Sequence, residues 1–210
     1  MTMYQEIGVA LLDRAVSLPA RDGETVIEQG DSCDQTLEIR SGIARAVDYS
    51  ADGYRQILAF FFAGDFIGLP LCSSHRYSVE AVRGLRFVPH ASQRLQTGFP
   101  VHDSEPEAIA KAIWQEEKAF IARSLILGRV GVQARVAAFL TYLSQRLELA
   151  DGMLDFSIPQ GDMASYLGTS PETVCRTLRR LRDEGVIAVP SRDRLQILNA
   201  CQLNVLAEGE

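Results

Sequence analysis

The chain has 210 residues, enough for one large domain or two small ones. With 47% hydrophobic and 23% charged residues it has the make-up of an ordinary globular protein, not of a disordered or fibrous one. A formal net charge of −6 argues against a protein that coats nucleic acid non-specifically, and leaves room for a DNA binder whose basic face is local.

The opening residues, Met1-Thr2-Met3-Tyr4-Gln5-Glu6, have no positive segment leading into an apolar run. The longest apolar stretch, Ile57 to Ala63, is far too short to span a bilayer. No membrane partner and a cytoplasmic address are expected. Cys33, Cys72, Cys175 and Cys201 are scattered, with no C-x-x-C and no Cys/His cluster. In a reducing compartment that pattern predicts small buried or half-buried thiols, neither disulfides nor a structural metal.

In chain order, residues 1–18 read as a lead-in helix with Ile7, Leu11 and Leu12 on one side. Short β-type runs follow: Thr25-Val26-Ile27, Leu37-Glu38-Ile39, Ile43 to Val47 and Gln56 to Phe62. Turn signals separate them at Gln29-Gly30-Asp31, Ser41-Gly42, Ala51-Asp52-Gly53, Ala63-Gly64-Asp65 and Arg83-Gly84. This spacing predicts an antiparallel roll or barrel. The character changes near Val101. From Ala108 to Val130 there is almost no breaker before Gly128, which predicts a helix roughly 35 Å long. Ile109, Ile113, Phe120 and Leu127 share one stripe of it, and that stripe is read as a dimer seam. A second helix is expected over Gln133 to Leu149, then a turn at Ala150-Asp151-Gly152 and a strand from Leu154 to Ile158.

Residues 159–184 carry the most specific signal. A helix from about Gln160 to Leu167 ends at Gly168, which can adopt the left-handed conformation. Ser170 is a good N-cap, and Pro171 then occupies the first helical position, where its missing N–H costs nothing. Two helices joined by about three residues make a helix-turn-helix. In the second helix Val174, Leu178 and Leu181 face inward, while Glu172, Cys175, Arg176 and Arg179 share the outer face. Arginine can bond guanine O6 and N7, and a carboxylate can accept from cytosine N4. Glu172, Cys175 and Arg176 are therefore the expected base readers of double-stranded DNA. Ser170, Thr173, Arg179, Arg180 and Arg182 are placed for phosphate or flanking contacts. Gly185 to Val189 and Leu195 to Leu198 read as two strands about the turn Pro190–Arg194, a wing whose tip brings Arg192 toward phosphates. Cys175 has a second reading. Arg176, Arg179 and the helix N-terminus favour the thiolate there, so oxidation is a possible brake on DNA binding.

The pattern Leu167-Gly168-x-Ser170-x-Glu172-Thr173-Val174-x-Arg176-x-Leu178-x-x-Leu181-x-x-x-Gly185-x-Ile187 resembles the CRP/FNR superfamily of bacterial transcription regulators. So do Arg135 to Leu140, Glu28-Gln29-Gly30-Asp31, Ser41-Gly42 and Gly64-Asp65-Phe66-Ile67-Gly68, and the segment Glu172 to Arg176 looks closest to the FixK-like branch. The resemblance implies an α+β fold: a cyclic-nucleotide-binding-like antiparallel β-roll over 1–104, a dimerisation helix over 105–131, and a winged helix-turn-helix over 132–210. It implies a homodimeric regulator, an activator with repression also open to it, with RNA polymerase as a partner. Glu172 and Arg176 would read the G·C pair of a TTGA…TCAA-like palindrome.

Two departures bear on ligands. Cyclic-AMP binders of the family carry a Gly-Glu pair and, ten residues on, an Arg followed by Ser or Thr. Counted from Asp65, that position holds His75-Arg76, and a neutral histidine is a poor phosphate clamp. Iron–sulfur members need an N-terminal cysteine cluster, and Cys33 stands alone. No cofactor is expected. Alternatives left open are a small effector or haem held in the roll, with His75, His90, His102 and nearby Cys72 the only candidate ligands. More remote is a jelly-roll metalloenzyme, for which His75 and His90 form no H-x-H pair; no G-x-S-x-G motif is present.

Overall fold

The computed structural model describes residues 16–50, 52–69, 73–91, 106–147 and 153–209. The expected lead-in helix (apart from its last residues), Cys72, His102 and the turn 150–152 lie outside them. The chain divides into two compact units, Met1–Phe120 and Ile121–Glu210.

The first unit is an antiparallel roll. Its strands are β1 (Leu18–Pro19), β2 (Thr25–Ile27), β3 (Gln35–Tyr49), β4 (Arg55–Phe61), β5 (Phe66–Ile67) and β6 (Ser78–Ala91). The order is β1-β6-β3-β4, with β2 also on β6 and β5 on β3. Leu18, read from the sequence as the end of a helix, instead pairs with Phe87 in the sheet. Leu37, Ile39, Phe61, Ile67, Val79, Leu85 and Phe87 fill the interior.

Two glycines correct the expected turns. Ser41-Gly42 and Arg83-Gly84 do not end strands; they lie inside β3 and β6, which run 15 and 14 residues. The register between these strands slips from Ile39↔Phe87 to Ile43↔Arg83 and Ala44↔Ala81. Gly42 has φ +81, and a Cβ there would lie 2.4 Å from the Gly84 carbonyl oxygen. The glycines thus allow a bulge at which the long strands bend, with two backbones pressed together.

Helix α1 (Pro106–Leu127) follows, then α2 (Val132–Arg146). Phe120 on α1 packs edge-on against Phe61 and Tyr77, with ring centroids 6.1 and 5.2 Å apart. Among the described residues no helix is long and apolar enough to cross a membrane.

The second unit continues with β7 (Met153–Asp155), α3 (Gln160–Leu167), α4 (Pro171–Asp183), β8 (Ile187–Ser191), β9 (Arg194–Ile197) and α5 (Ala200–Glu208). The strands form a sheet in the order β7-β9-β8. Its wing turn is tighter than expected: Pro190 and Ser191 stay in β8, and Ser191 pairs directly with Arg194. Helix α5 was not anticipated. Asn199 caps it by accepting from the Gln202 N–H, and Leu203 and Ala207 bury one side.

Candidate nucleic-acid interface

Helices α3 and α4 meet at Gly168, whose φ 60 and ψ 49 are left-handed. The Ser170 hydroxyl accepts from the Thr173 N–H at 3.3 Å, and Pro171 opens α4. Cap, proline and glycine turn therefore stand where the sequence pattern puts them.

Val174, Leu178 and Leu181 are buried, together with Thr177, which sequence periodicity missed. The Thr177 hydroxyl donates to the Thr173 carbonyl at 2.8 Å, so its polar atom is satisfied within the helix. Glu172, Arg176 and Arg179 are exposed on the opposite face, and Cys175 is half-buried beside them. Glu172 and Arg176 are one helical turn apart. Glu172 is held below the usual carboxylate range, first by its own backbone N–H and then by the Ser170 hydroxyl, so it is an acceptor at neutral pH.

The basic residues of this unit differ. Among the described residues neither Arg176 nor Arg179 has a carboxylate partner. Arg180 pairs with Glu184 at 2.7 Å and Arg182 with Asp183 at 2.8 Å. Those two pairs are exposed and weak, and an approaching phosphate competes with them. Arg192 is exposed at the wing turn. The surface therefore offers fork-shaped donors and one fixed acceptor on a rigid helix, the equipment for reading a base edge.

The other candidates fall elsewhere. On α1, Ile113 packs against Leu69 and Ala112, Phe120 against the roll core, and Leu127 is half-buried; the Ile109 side chain lies outside the described set. Among the described residues, the large apolar side chains left exposed on α1 are Trp114 (60%), Ile121 (48%) and Leu125 (65%). Their spacing of seven and four puts them on one face.

In the roll, Asp65 is buried, and its carboxylate accepts from the Phe62 N–H at 2.9 Å to close the turn. His75 is buried with Nδ1 3.4 Å from the Cys33 sulfur. Burial lowers its pKa, against the pull of Asp31 and Asp34. His90 Nε2 lies 3.0 Å from Glu38. His75 lies in the segment between β5 and β6, and His90 lies in β6. Cys33 and Cys175 are half-buried, as expected, and Cys201 is exposed where a buried or half-buried thiol was expected. Among the described residues no three His, Cys, Asp or Glu side chains gather at metal-binding distance.

Residues 134–206 match the family model of the Crp-like helix-turn-helix domain, and residues 18–88 match that of the cyclic nucleotide-binding domain. The nitrogen fixation regulation protein FixK of Azorhizobium caulinodans is 34% identical over 174 residues, covering 79% of this chain and 68% of that protein. The transcriptional activatory protein AadR of Rhodopseudomonas palustris is 29% identical, covering 88% of this chain and 78% of its own. The structure of FixK2 from Bradyrhizobium japonicum superimposes with a TM-score of 0.81 at 27% identity, over 91% of this chain and 96% of that one. The chain is a transcription regulator with a helix-turn-helix DNA-binding domain, and it belongs to the FixK-like branch of the CRP/FNR family.

Proposed function

We propose that this chain works as a cytoplasmic homodimer that reads a TTGA…TCAA-like inverted repeat and activates transcription by contacting RNA polymerase. Residues 1–104 act as a sensor-like module, 105–131 as the dimer helix and 132–210 as the DNA reader. The observation that carries this reading is the pairing of exposed Glu172 and Arg176 one turn apart on a capped helix whose other face is buried. Arg176 takes guanine, Glu172 takes cytosine on the other strand, and the half-buried Cys175 packs against a base. Thr173, Ser170 and Arg179 flank these contacts, and Arg180, Arg182 and Arg192 meet phosphates.

The dimer seam best supported on α1 is Trp114, Ile121 and Leu125, because Ile113 and Phe120 already pack within their own unit. Selection of duplexes from a random pool tests both parts. The expected product is an inverted repeat with half-site centres about 34–36 Å apart, one DNA turn. Ile121→Glu should give a folded monomer that no longer enriches the repeat. Enrichment of a single half-site by wild type, or a stable Ile121→Glu dimer, would count against it.

Control by a small effector in the roll is the second reading. It is favoured by an open groove of about 310 Å³ lined by Leu58, Arg76, Tyr77, Ile113, Glu116, Glu117 and Phe120. A ligand there would raise the melting temperature of the first unit by mass action.

A further inference from the structure

Helix α3 ends with four carbonyl groups that have no partner inside the helix. Local turn geometry satisfies two of them. The Thr169 N–H donates to the Ala164 carbonyl at 2.9 Å, and the Gly168 N–H to Ser165 at 3.4 Å. The remaining two are taken by arginines from other helices. Arg123 Nε on α1 donates to the Tyr166 carbonyl at 3.1 Å. Arg135 Nη1 on α2 donates to Leu167 at 2.7 Å and reaches the Gly168 carbonyl at 3.4 Å. The accounting of this helix end is thereby complete, and two guanidinium charges sit at the negative end of its dipole.

The contact is built on more than one atom. The Arg123 guanidinium lies 5.9 Å from the centre of the fully buried Tyr166 ring. Leu127, one turn further along α1, stands against the same bend: a carbon added at Gly168 would lie 3.6 Å from its Cδ2. Arg123 and Leu127 are i and i+4 on one helix, so the last turn of α1 grips Tyr166 to Gly168. Two residues beyond Gly168, Ser170 caps the reading helix α4. The bend that aims Glu172 and Arg176 is therefore held from α1.

We infer that Arg123 is a positioning residue for DNA reading: it ties the bend between the two helix-turn-helix helices to α1 and so sets the angle of α4. It does not itself touch DNA. This rests on the proposed function, since only a sequence-reading α4 needs a set angle.

The test uses the full chain with Arg123→Met, which keeps the stem and removes charge and donors, and Arg123→Lys, which keeps the charge. Affinity is measured on the selected duplex and on a scrambled one across a salt series. Amide hydrogen exchange is followed at residues 168–173 without DNA. For Arg123→Met, specific affinity should fall about tenfold, the scale of one lost charge-assisted hydrogen bond. Affinity for the scrambled duplex and the salt slope should hold, exchange at 168–173 should quicken, and Arg123→Lys should recover part of each loss. Equal loss on both duplexes with a shallower salt slope would make Arg123 a phosphate contact and overturn the inference. Faster exchange spread evenly over the second unit would reduce it to a stability effect and overturn it as well. Unchanged exchange removes the tether whether or not DNA binds, whereas a wild type that selects no duplex refutes the proposed function instead.

Discussion

The two units use charge in opposite ways. In the roll, charged groups face one another. Glu80 is buried and accepts from Arg45 at 2.6 and 2.8 Å, from Arg55 at 2.9 Å and from the Tyr49 hydroxyl. Glu38 is shared by His90 and Arg40. In the helix-turn-helix, Glu172, Arg176 and Arg179 point outward, and Arg176 and Arg179 lack any carboxylate partner among the described residues. The difference teaches how to sort an arginine: one whose donors are consumed by a buried carboxylate supports the fold, and one left open on a rigid face serves a partner.

The largest effect should come from breaking the first arrangement. Glu80→Ala leaves Arg45 and Arg55 facing each other without their acceptor, and should cost about 3 kcal/mol of stability in denaturant unfolding. Burial pushes the Glu80 pKa up, but bonds from Arg55, Tyr49 and Arg45 outweigh it and the net shift is downward. A carboxylate lowered on folding stabilises above its unfolded pKa. That contribution should persist at neutral pH and fade as pH drops through the ordinary carboxylate range. A variant as stable as wild type would erase the contrast between the units.

How much of this was legible depended on how local each signal is. Ser170, Pro171 and Gly168 act within a few residues, so the sequence pattern placed the helix-turn-helix correctly. Gly42 and Gly84 carry the same local signature as turn glycines. Only the pairing of strands distant in sequence turns them into a bulge, with Gly42 pressed on the Gly84 carbonyl. Helix α1 is ambiguous for another reason. Three neighbouring columns are apolar: Ala112, Ala119 and Ile126; Ile113, Phe120 and Leu127; Trp114, Ile121 and Leu125. Periodicity finds the stripe but cannot say which column meets the chain's own core. The structure buries the first, half-covers the second and exposes the third. The carbonyl held by Arg123 was invisible for the same reason, since no side-chain pattern marks a backbone acceptor 43 residues away.

Next in size is the outward face. Arg176→Ala should lose about 1–3 kcal/mol of discrimination at one base pair per half-site, with unfolding unchanged. Arg182→Ala should weaken all sequences alike and by less, because its partner Asp183 already offsets part of its charge. Competition binding against single-base variants of the selected site separates the two patterns. If both substitutions acted equally on every duplex, Arg176 would be a phosphate contact and the assignment of the face would be wrong.

A smaller and conditional effect is expected at Cys175, half-buried on the same face. Oxidation to a sulfinic acid adds bulk and negative charge opposite electronegative base edges, so DNA affinity should drop on peroxide treatment. Cys175→Ser should bind like wild type before treatment and keep its affinity after it. Mass spectrometry must place the added oxygen on Cys175. Equal loss in both proteins would shift the sensitivity to another cysteine.

The smallest expected effect is none at all, and it tests the roll. Cyclic AMP at millimolar concentration should neither bind nor alter DNA affinity. A phosphodiester clamp needs a free cation and a carboxylate for the ribose. Asp65 is unsuited to the second part, because its carboxylate is buried and committed to the Phe62 N–H. His75 is unsuited to the first, because burial holds its imidazole toward the neutral form beside Cys33. Arg76 does line the groove, but it shares that wall with the carboxyl groups of Glu116 and Glu117, and Tyr77 donates its hydroxyl to Glu116 rather than to a ligand. An incoming phosphate would meet one cation and two acids, with little net attraction. Calorimetry is the direct measurement. Binding at micromolar concentration would show that Arg76 alone suffices as the clamp, and that the roll keeps a charged group for a partner just as α4 does.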